Sequence, residues 1–477
     1  MKALVLFHRW VGVALCLMFA TWFATGAVMI FVAFPSLPEA DRAAAAPPVD
    51  LGALRIAPAE AARRLGGAGA LRLVGVEGEP VFAAAGPDGR DRAISGRTGA
   101  ALAPIGRDQA GRIAAAFGRA PVRHVDGPFD YDQWNVHQQF DRLRPFYRVR
   151  LDDPRGTELY VSGRTGEVAQ RTRADERAWN WVGSVVHWIY FTPIRKSFPA
   201  WDWTVWCLAL VGLSTAVAGI WLGVSRTNRQ LRSKRPSVSP FRGLLRWHHV
   251  LGLAAGAFLL CWITSGWLSM DHGRLFSEGQ AAAAAARAYA GGPAPAGGSS
   301  LTLADLGRLQ PASSIEFGRV AGHDLAAARG PAGPQVLVAG PGGAVLADRL
   351  PLPLVLSAVR AAWPGERIAA ARPVAADAPY AKAEGLAAGT LRVELNGPQP
   401  QSLFIDPVSG RILVAMDASR AAYAWVYYML HTYNFPGLSS RPVLRIVIML
   451  IPLTLGFGFS ITGVLVGVRR LRIKTGR

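Results

Sequence analysis

The sequence predicts an integral membrane α-helical bundle of four spans, duplicated two-fold, carrying two α+β domains on its outer side. Three observations predict this: four apolar blocks long enough to cross a bilayer, basic residues gathered at one end of those blocks, and an internal match between the two halves of the chain. Of 477 residues 51% are hydrophobic, and 52 Lys plus Arg stand against 32 Asp plus Glu, a formal net charge of +20.

In chain order, residues 1–34 read as the first span. Its uninterrupted apolar run of about 25 residues exceeds the roughly 7 to 15 of a secretory h-region, so it is read as a retained span and not as a leader. Residues 35–178 form a first outer domain, 179–200 an interfacial helix containing His187, and 201–225 the second span. A basic loop, 226–245, leads into the third span at 246–270. The second outer domain covers 271–420, a second interfacial helix containing His431 covers 421–442, the last span runs over 443–468, and 469–477 is a basic tail.

The loop holds Arg226, Arg229, Arg232, Lys234, Arg235 and Arg242 without an acid, and the tail holds Arg469, Arg470, Arg472, Lys474 and Arg477. By the positive-inside rule both termini and this loop are cytoplasmic, and the two long segments face outward. Those segments are nearly neutral, with 21 basic and 19 acidic residues in 35–178 and 13 and 12 in 271–420. The excess charge therefore sits on spans and cytoplasmic edges, where membrane lipids with anionic headgroups are its partner; nucleic acid is not expected.

The duplication is visible at two offsets. At 240, His8-Arg9-Trp10-Val11-Gly12 lies over His248-His249-Val250-Leu251-Gly252, Trp22 over Trp262, and Thr25-Gly26 over Ser265-Gly266. At 244, Arg148 to Leu151 lies over Arg392 to Leu395, His187 over His431, and Gly219 and Gly223 over Gly463 and Gly467. Two parallel copies of one unit follow, related by an axis along the membrane normal. In the outer domains, Phe146 to Leu151 and Leu391 to Leu395 alternate as strands, and Leu159 to Val161 and Ser402 to Ile405 are further strands. Helices at 58–65 and 353–363 are expected to cover one face of each sheet, and the Ala, Gly, Pro and Ser-rich stretch 280–300 is expected to be a tether or frayed helix.

Only three cysteines occur, Cys16, Cys207 and Cys261, all in apolar stretches, which excludes a disulfide scaffold, a zinc ribbon, a thiolate-held cluster and Cys-x-x-Cys-His haem attachment. The histidines carry more. His8 and His248 open spans one and three, and His187 and His431 precede spans two and four, so two histidines share a depth at each face. Bis-histidine b-type haem is the chemistry this arrangement serves, one neutral imidazole ligating iron from each side of the porphyrin. Gly12 and Gly252, four residues beyond His8 and His248, would admit the flat macrocycle, and Arg9, Arg195, Lys196 or Arg441 could balance its propionates. A single histidine near a span end is more often an interfacial side chain with a wet tip; four in two duplicated pairs shift the balance to ligation. His249 remains an alternative to His248, since neighbours on a helix point about 100° apart. His124 and His323 read as solvated loop residues, His137 and His272 as packing residues at the outer face, and Trp201, Trp203 and Trp206 as an interfacial belt.

The strings HRWVG, RPFYRVRLDDPRGTELYVSGRTGEV, AWNWVGSVVHWIY, RWHHVLGL and LHTYNFPG resemble the PepSY-associated transmembrane family over nearly the whole chain. That resemblance implies PepSY-like periplasmic domains in a bacterial inner membrane, and similarity to di-haem periplasmic ferric-siderophore reductases. Carried over by position, it implies two haem b groups, one held by His8 and His248 and one by His187 and His431. The expected function is electron transfer from a cytoplasmic reductase or quinol to a ferric siderophore or other ferric chelate in the periplasm, an oxidoreductase activity. The alternative is a non-catalytic membrane module that binds peptides or regulates a periplasmic protease. A transporter has less to rest on, since the spans carry almost no charge apart from Asp202 at an edge.

Overall fold

A computed structural model describes residues 1–66, 70–293, 299–375 and 377–474; part of the predicted tether, 294–298, and the tail residue Arg477 lie outside these described residues. Four helices are long and apolar enough to cross a membrane: span 1 (Lys2–Met29), span 2 (Phe198–Leu231), span 3 (Leu244–Ser269) and span 4 (Pro442–Lys474). Span 1 ends five residues short of the predicted position 34, ahead of Pro35 and Pro38, which disfavour helical backbone before them. Spans 2 and 4 overrun the apolar blocks, because helix continues into the Arg-rich flanks, whose long side chains reach polar surroundings. Pro199 in the first turn of span 2 and Pro442 at the start of span 4 fit where a missing N–H is tolerated.

The spans form a ring in which span 1 and span 3 each pack against spans 2 and 4. Phe19, Phe23, Ala216, Leu259, Trp262, Ile263, Met449 and Leu453 fill the middle of this ring as one buried cluster. One end of the bundle carries the basic loop and tail and the other carries the β-structure; these are called the basic end and the domain end.

Fifteen strands follow among the described residues: β1 (Arg72–Val76), β2 (Glu79–Ala85), β3 (Asp91–Ser95), β4 (Val122–Phe129), β5 (Phe146–Leu151), β6 (Glu158–Ser162), β7 (Val168–Thr172), β8 (Ser314–Val320), β9 (His323–Arg329), β10 (Gln335–Val338), β11 (Val345–Ala347), β12 (Arg367–Pro373), β13 (Leu391–Asn396), β14 (Gln401–Ile405) and β15 (Ile412–Met416). They make antiparallel sheets β4-β5-β6-β7 and β12-β13-β14-β15, as the two outer segments were each expected to do. The third sheet, β11-β10-β9-β8-β1-β2-β3, draws strands from both segments and so joins the two outer domains. Strand β1 pairs with β8, Leu73 facing Ile315.

Side-chain alternation on β1 explains the layering. Leu73 points to a core shared with Phe82, Ile315 and Leu337, while its neighbours Val74 and Val76 pack with Val149, Leu159 and Val161 of the β4–β7 sheet. On the other half of the shared sheet, Leu325 and Val336 pack with Val393, Leu403 and Ile405 of the β12–β15 sheet. One seven-stranded sheet thus lies over two four-stranded ones, and neither half buries both faces of its strands alone. Helix Pro58–Arg64 buries Ala61 in the first core and helix Leu352–Ala362 buries Val355 and Val359 against the β12–β15 sheet, close to the predicted ranges. In the expected tether, Ala283–Tyr289 is helical, fixed by Tyr289, whose hydroxyl donates to the Gly410 carbonyl.

An ion network ties the shared sheet to β7. Arg72 on β1 binds Glu167 and Asp91, and Arg142 adds a second partner for Asp91. Burial by itself would raise the Glu167 carboxyl, but the Arg72 guanidinium and the Thr165 hydroxyl hold it down at about 2. A depressed folded-state value stabilises the fold above the ordinary value near 4.5 and loses that contribution as pH falls towards about 2. Unfolding of the full chain in detergent, followed by tryptophan fluorescence, is expected to show stability rising between those two values, and Glu167→Gln is expected to flatten that rise and lower stability at neutral pH by about 2 to 3 kcal/mol.

Candidate cofactor site

The four repeat-related histidines come together in two pairs. At the basic end, His8 on span 1 and His248 on span 3 line one cavity of about 630 Å³. At the domain end, the His187 and His431 rings face each other with centres 6.4 Å apart. Two imidazoles ligating one metal from opposite sides, each nitrogen about 2 Å from it and each ring centre about 1 Å beyond, stand about 6 Å apart between centres. His8 and Thr25, and His248 and Ser265, are each separated by 17 residues, about 25 Å of helix rise, so the two pairs lie at opposite ends of the buried core.

The segments that deliver the outer pair differ from each other. The first breaks into Ala174–Trp181 and Ser184–His187, with Gly183 between them, whereas the second runs from helix Ala418–Ala424 into a π-helical turn, Trp425–His431. Both nonetheless place the histidine at the end of the segment against a small residue on a span.

Every one of the four imidazoles is held through Nδ1. His8 donates to the Thr215 carbonyl on span 2 at 3.1 Å. His248 lies 3.1 Å from Thr462 Oγ1 on span 4, His187 3.0 Å from Thr25 Oγ1 on span 1, and His431 3.1 Å from Ser265 Oγ on span 3. Each of those hydroxyls donates its own hydrogen to a backbone carbonyl, Thr462 to Phe459, Thr25 to Thr21 and Ser265 to Trp262. The Thr215 carbonyl can only accept, so His8 carries its proton on Nδ1; the same tautomer at the other three lets each hydroxyl keep its bond to the backbone and leaves every Nε2 lone pair uncommitted. His249 has the opposite arrangement: its Nε2 lies 3.1 Å from the Gly223 carbonyl, an acceptor only, so the nitrogen left uncommitted in the other four carries a proton here.

A glycine stands beside each ring, and at Gly219 and Gly266 the absence of a side chain is required. A Cβ at Gly219 would lie 2.5 Å from His8 Cε1, at Gly266 3.0 Å from His431 Cε1, at Gly26 3.5 Å from His187 Cε1, and at Gly463 3.5 Å from His248 Cε1. These are positions that the sequence offsets align, but their role lies across the bundle and was not read from the sequence. Gly12 faces open space beside His8 in the cavity, as expected. Gly252 does not serve the same purpose, since a Cβ there would meet the Phe459 ring at 2.8 Å; Phe459 in turn stacks on His248.

The predicted cations divide. Arg9 lines the basic-end cavity, together with Arg226, Arg242, Arg469 and Arg470, which sequence reasoning assigned only to topology; no acid among the described residues lines it. At the domain end Arg195 is buried beneath Tyr190 and Trp201, bonded to Gln138, with Nε and Nη1 unpartnered. Lys196 and Arg441 are exposed, and Arg445, not singled out before, donates to the carbonyl of Thr432 beside His431. The remaining histidines have local partners: His124 Asp126, His137 the Gln139 amide, and His323 the Ala339 carbonyl. His272, just beyond span 3, is hydrogen-bonded to the buried Asp202 on span 2 at 2.7 Å between the Trp203 and Trp206 rings, so two of the three expected belt tryptophans pack a His–Asp pair.

No group of three or more His, Cys, Asp or Glu able to hold a metal ion occurs among the described residues. Two imidazoles per level, a cavity flanked by arginines and glycine beside each ring fit a ligand that brings its own equatorial donors and its own carboxylates, as a porphyrin does.

Four apolar spanning helices joined to antiparallel β-sheet domains define an integral membrane protein with extramembrane α+β domains. The family model described as PepSY-associated TM region matches residues 5–470, and the chain belongs to that family. No curated protein matches the chain.

Because a Cβ at Gly12 meets nothing within 4 Å, Gly12→Ala is expected to leave thermal stability unchanged, whereas Gly219→Ala is expected to displace His8. Thermal unfolding of the purified variants checks both: Gly219→Ala should melt below the parent, whereas Gly12→Ala and Gly458→Ala, which also meets open space, should melt with it.

Proposed function

We propose that this protein is a transmembrane electron conduit with two bis-histidine b-type haems that reduces a ferric chelate, such as a ferric siderophore, outside the cytoplasmic membrane. The observation that carries the reading is the common state of four imidazoles at two levels, each tied through Nδ1 and open at Nε2. His8 and His248 would hold the haem at the basic end, with Arg9, Arg226 and Arg242 near its carboxylates; His187 and His431 would hold the other, with Arg195 and Arg445 as neighbouring cations. Bound haem supplies reversible one-electron chemistry at iron; the chain's own part is to ligate, orient and keep water from the core. Phe19, Phe23, Leu259 and Trp262 between the two levels maintain a dry interior.

In this reading the chain is two copies of one unit, its basic loop and both termini are cytoplasmic, and the shared β-structure is periplasmic in a bacterial inner membrane. A cytoplasmic reductase or quinol is the donor. Reduction would loosen the chelate, because Fe(II) suits hard oxygen ligands less well than Fe(III).

A second reading has one observation behind it: β4 and β12 are edge strands of their sheets, able to pair with an extended peptide. A membrane module that binds peptides or regulates a periplasmic protease would use those edges and need no haem.

Visible spectra of the detergent-purified, haem-supplied protein, oxidised and dithionite-reduced, separate the two. The conduit reading expects two haem b per chain, with His187→Ala or His431→Ala losing one and His8→Ala or His248→Ala losing the other, while His249→Ala retains both. A folded preparation without a Soret band would sink it.

A further inference from the structure

The four Nδ1 acceptors are not alike. At the domain end both are hydroxyls, Thr25 for His187 and Ser265 for His431. At the basic end His8 reaches a backbone carbonyl directly, and His248 reaches Thr462, whose hydroxyl is itself bonded at 2.6 Å to the Phe459 carbonyl. Thr215 and Phe459 occupy positions 244 apart, the offset that aligns Gly219 with Gly463, so the same carbonyl serves both basic-end histidines, once directly and once through a hydroxyl.

We infer that Thr25, Ser265 and Thr462 are positioning residues that lock their histidines in the metal-binding tautomer, and that the unequal acceptors set the basic-end centre at a lower reduction potential than the domain-end centre. This rests on the two-haem reading above and adds a direction to it. A stronger acceptor on Nδ1–H pushes electron density onto Nε2 and favours the ferric form of whatever iron that nitrogen holds. The carbonyl under His8 is a better acceptor than a hydroxyl and has no counterpart at the domain end; the three hydroxyls are alike in each donating to a carbonyl, so the difference between the two ends rests on His8. With both groups bound, an electron would run downhill from the basic end to the domain end, and the chain's own part would be to keep the Nδ1 protons in their bonds so that no proton need move.

The test is a spectroelectrochemical titration of the purified full chain with haem bound, the two centres assigned from the single-haem His8→Ala and His187→Ala forms. The lower potential is expected at the basic end. Thr25→Val and Ser265→Ala are expected to raise the potential of the domain-end centre alone, Thr462→Val that of the basic-end centre alone, each with haem affinity weakened about 10- to 100-fold. Thr25→Ser and Thr462→Ser are expected to restore parent values, which a purely steric role would not require. Two haems with the reverse order of potentials, or potentials that ignore the loss of these hydroxyls, would overturn the inference and leave the conduit standing. Absence of haem in the parent chain would overturn both. The order of potentials in the parent tests the idea without any variant, so a misfolded substitution does not shield it.

Discussion

The hydrogen bond from an imidazole Nδ1 to an oxygen on a neighbouring helix is the interaction on which the organisation of this bundle depends. In an apolar interior a polar hydrogen without a partner costs several kcal/mol, so a histidine placed there dictates what must stand opposite it. Here the requirement is met four times by a carbonyl or by a small hydroxyl whose own hydrogen is already engaged. Each bond joins two elements distant in sequence: span 1 to span 2, span 3 to span 4, and each outer segment to the span that begins its half of the chain. The bonds that orient the rings therefore also fasten the bundle.

Glycine is the second half of the same constraint. The His8 and His431 rings lie so close to the helices they cross that a side chain at Gly219 or Gly266 would collide with them, while Gly463 and Gly26 stand in ordinary contact with the His248 and His187 rings. Packing of this kind costs little in a membrane, where close approach of helices at small residues is itself a source of cohesion. Orientation, spacing and openness at Nε2 thus come from pairs of residues, one polar and small, one without a side chain.

Above the bundle, the seven-stranded sheet has a mechanical consequence. Because β1 pairs with β8, the two outer segments cannot move independently, and each four-stranded sheet is held against one half of a common layer. The Arg72, Asp91 and Glu167 network reinforces the junction on one side, and Arg329, bonded to Glu39 and Asp406, links the segments on the other. The two segments that present His187 and His431 hang from this single body, which fixes their separation.

The sequence by itself determined the spans, the basic end, the strands β5, β6, β13 and β14, and the four histidines, since hydropathy, charge, alternation and internal matching are local or additive properties. Only the tertiary structure decided what faces each histidine. The acceptors Thr215 and Thr462 and the cradle at Gly219 and Gly463 lie more than 200 residues from the rings they serve, and no period in the sequence connects them. The same holds for the difference between His248 and His249, which point about 100° apart on the helix: His248 meets Thr462 through Nδ1 and His249 meets the Gly223 carbonyl through Nε2. The shared sheet escaped for a related reason: β1, β2 and β9 are covered on both faces, so their short apolar runs lack the polar alternation that marks a half-exposed strand, and pairing between β1 and β8 is a contact between segments that sequence order keeps apart.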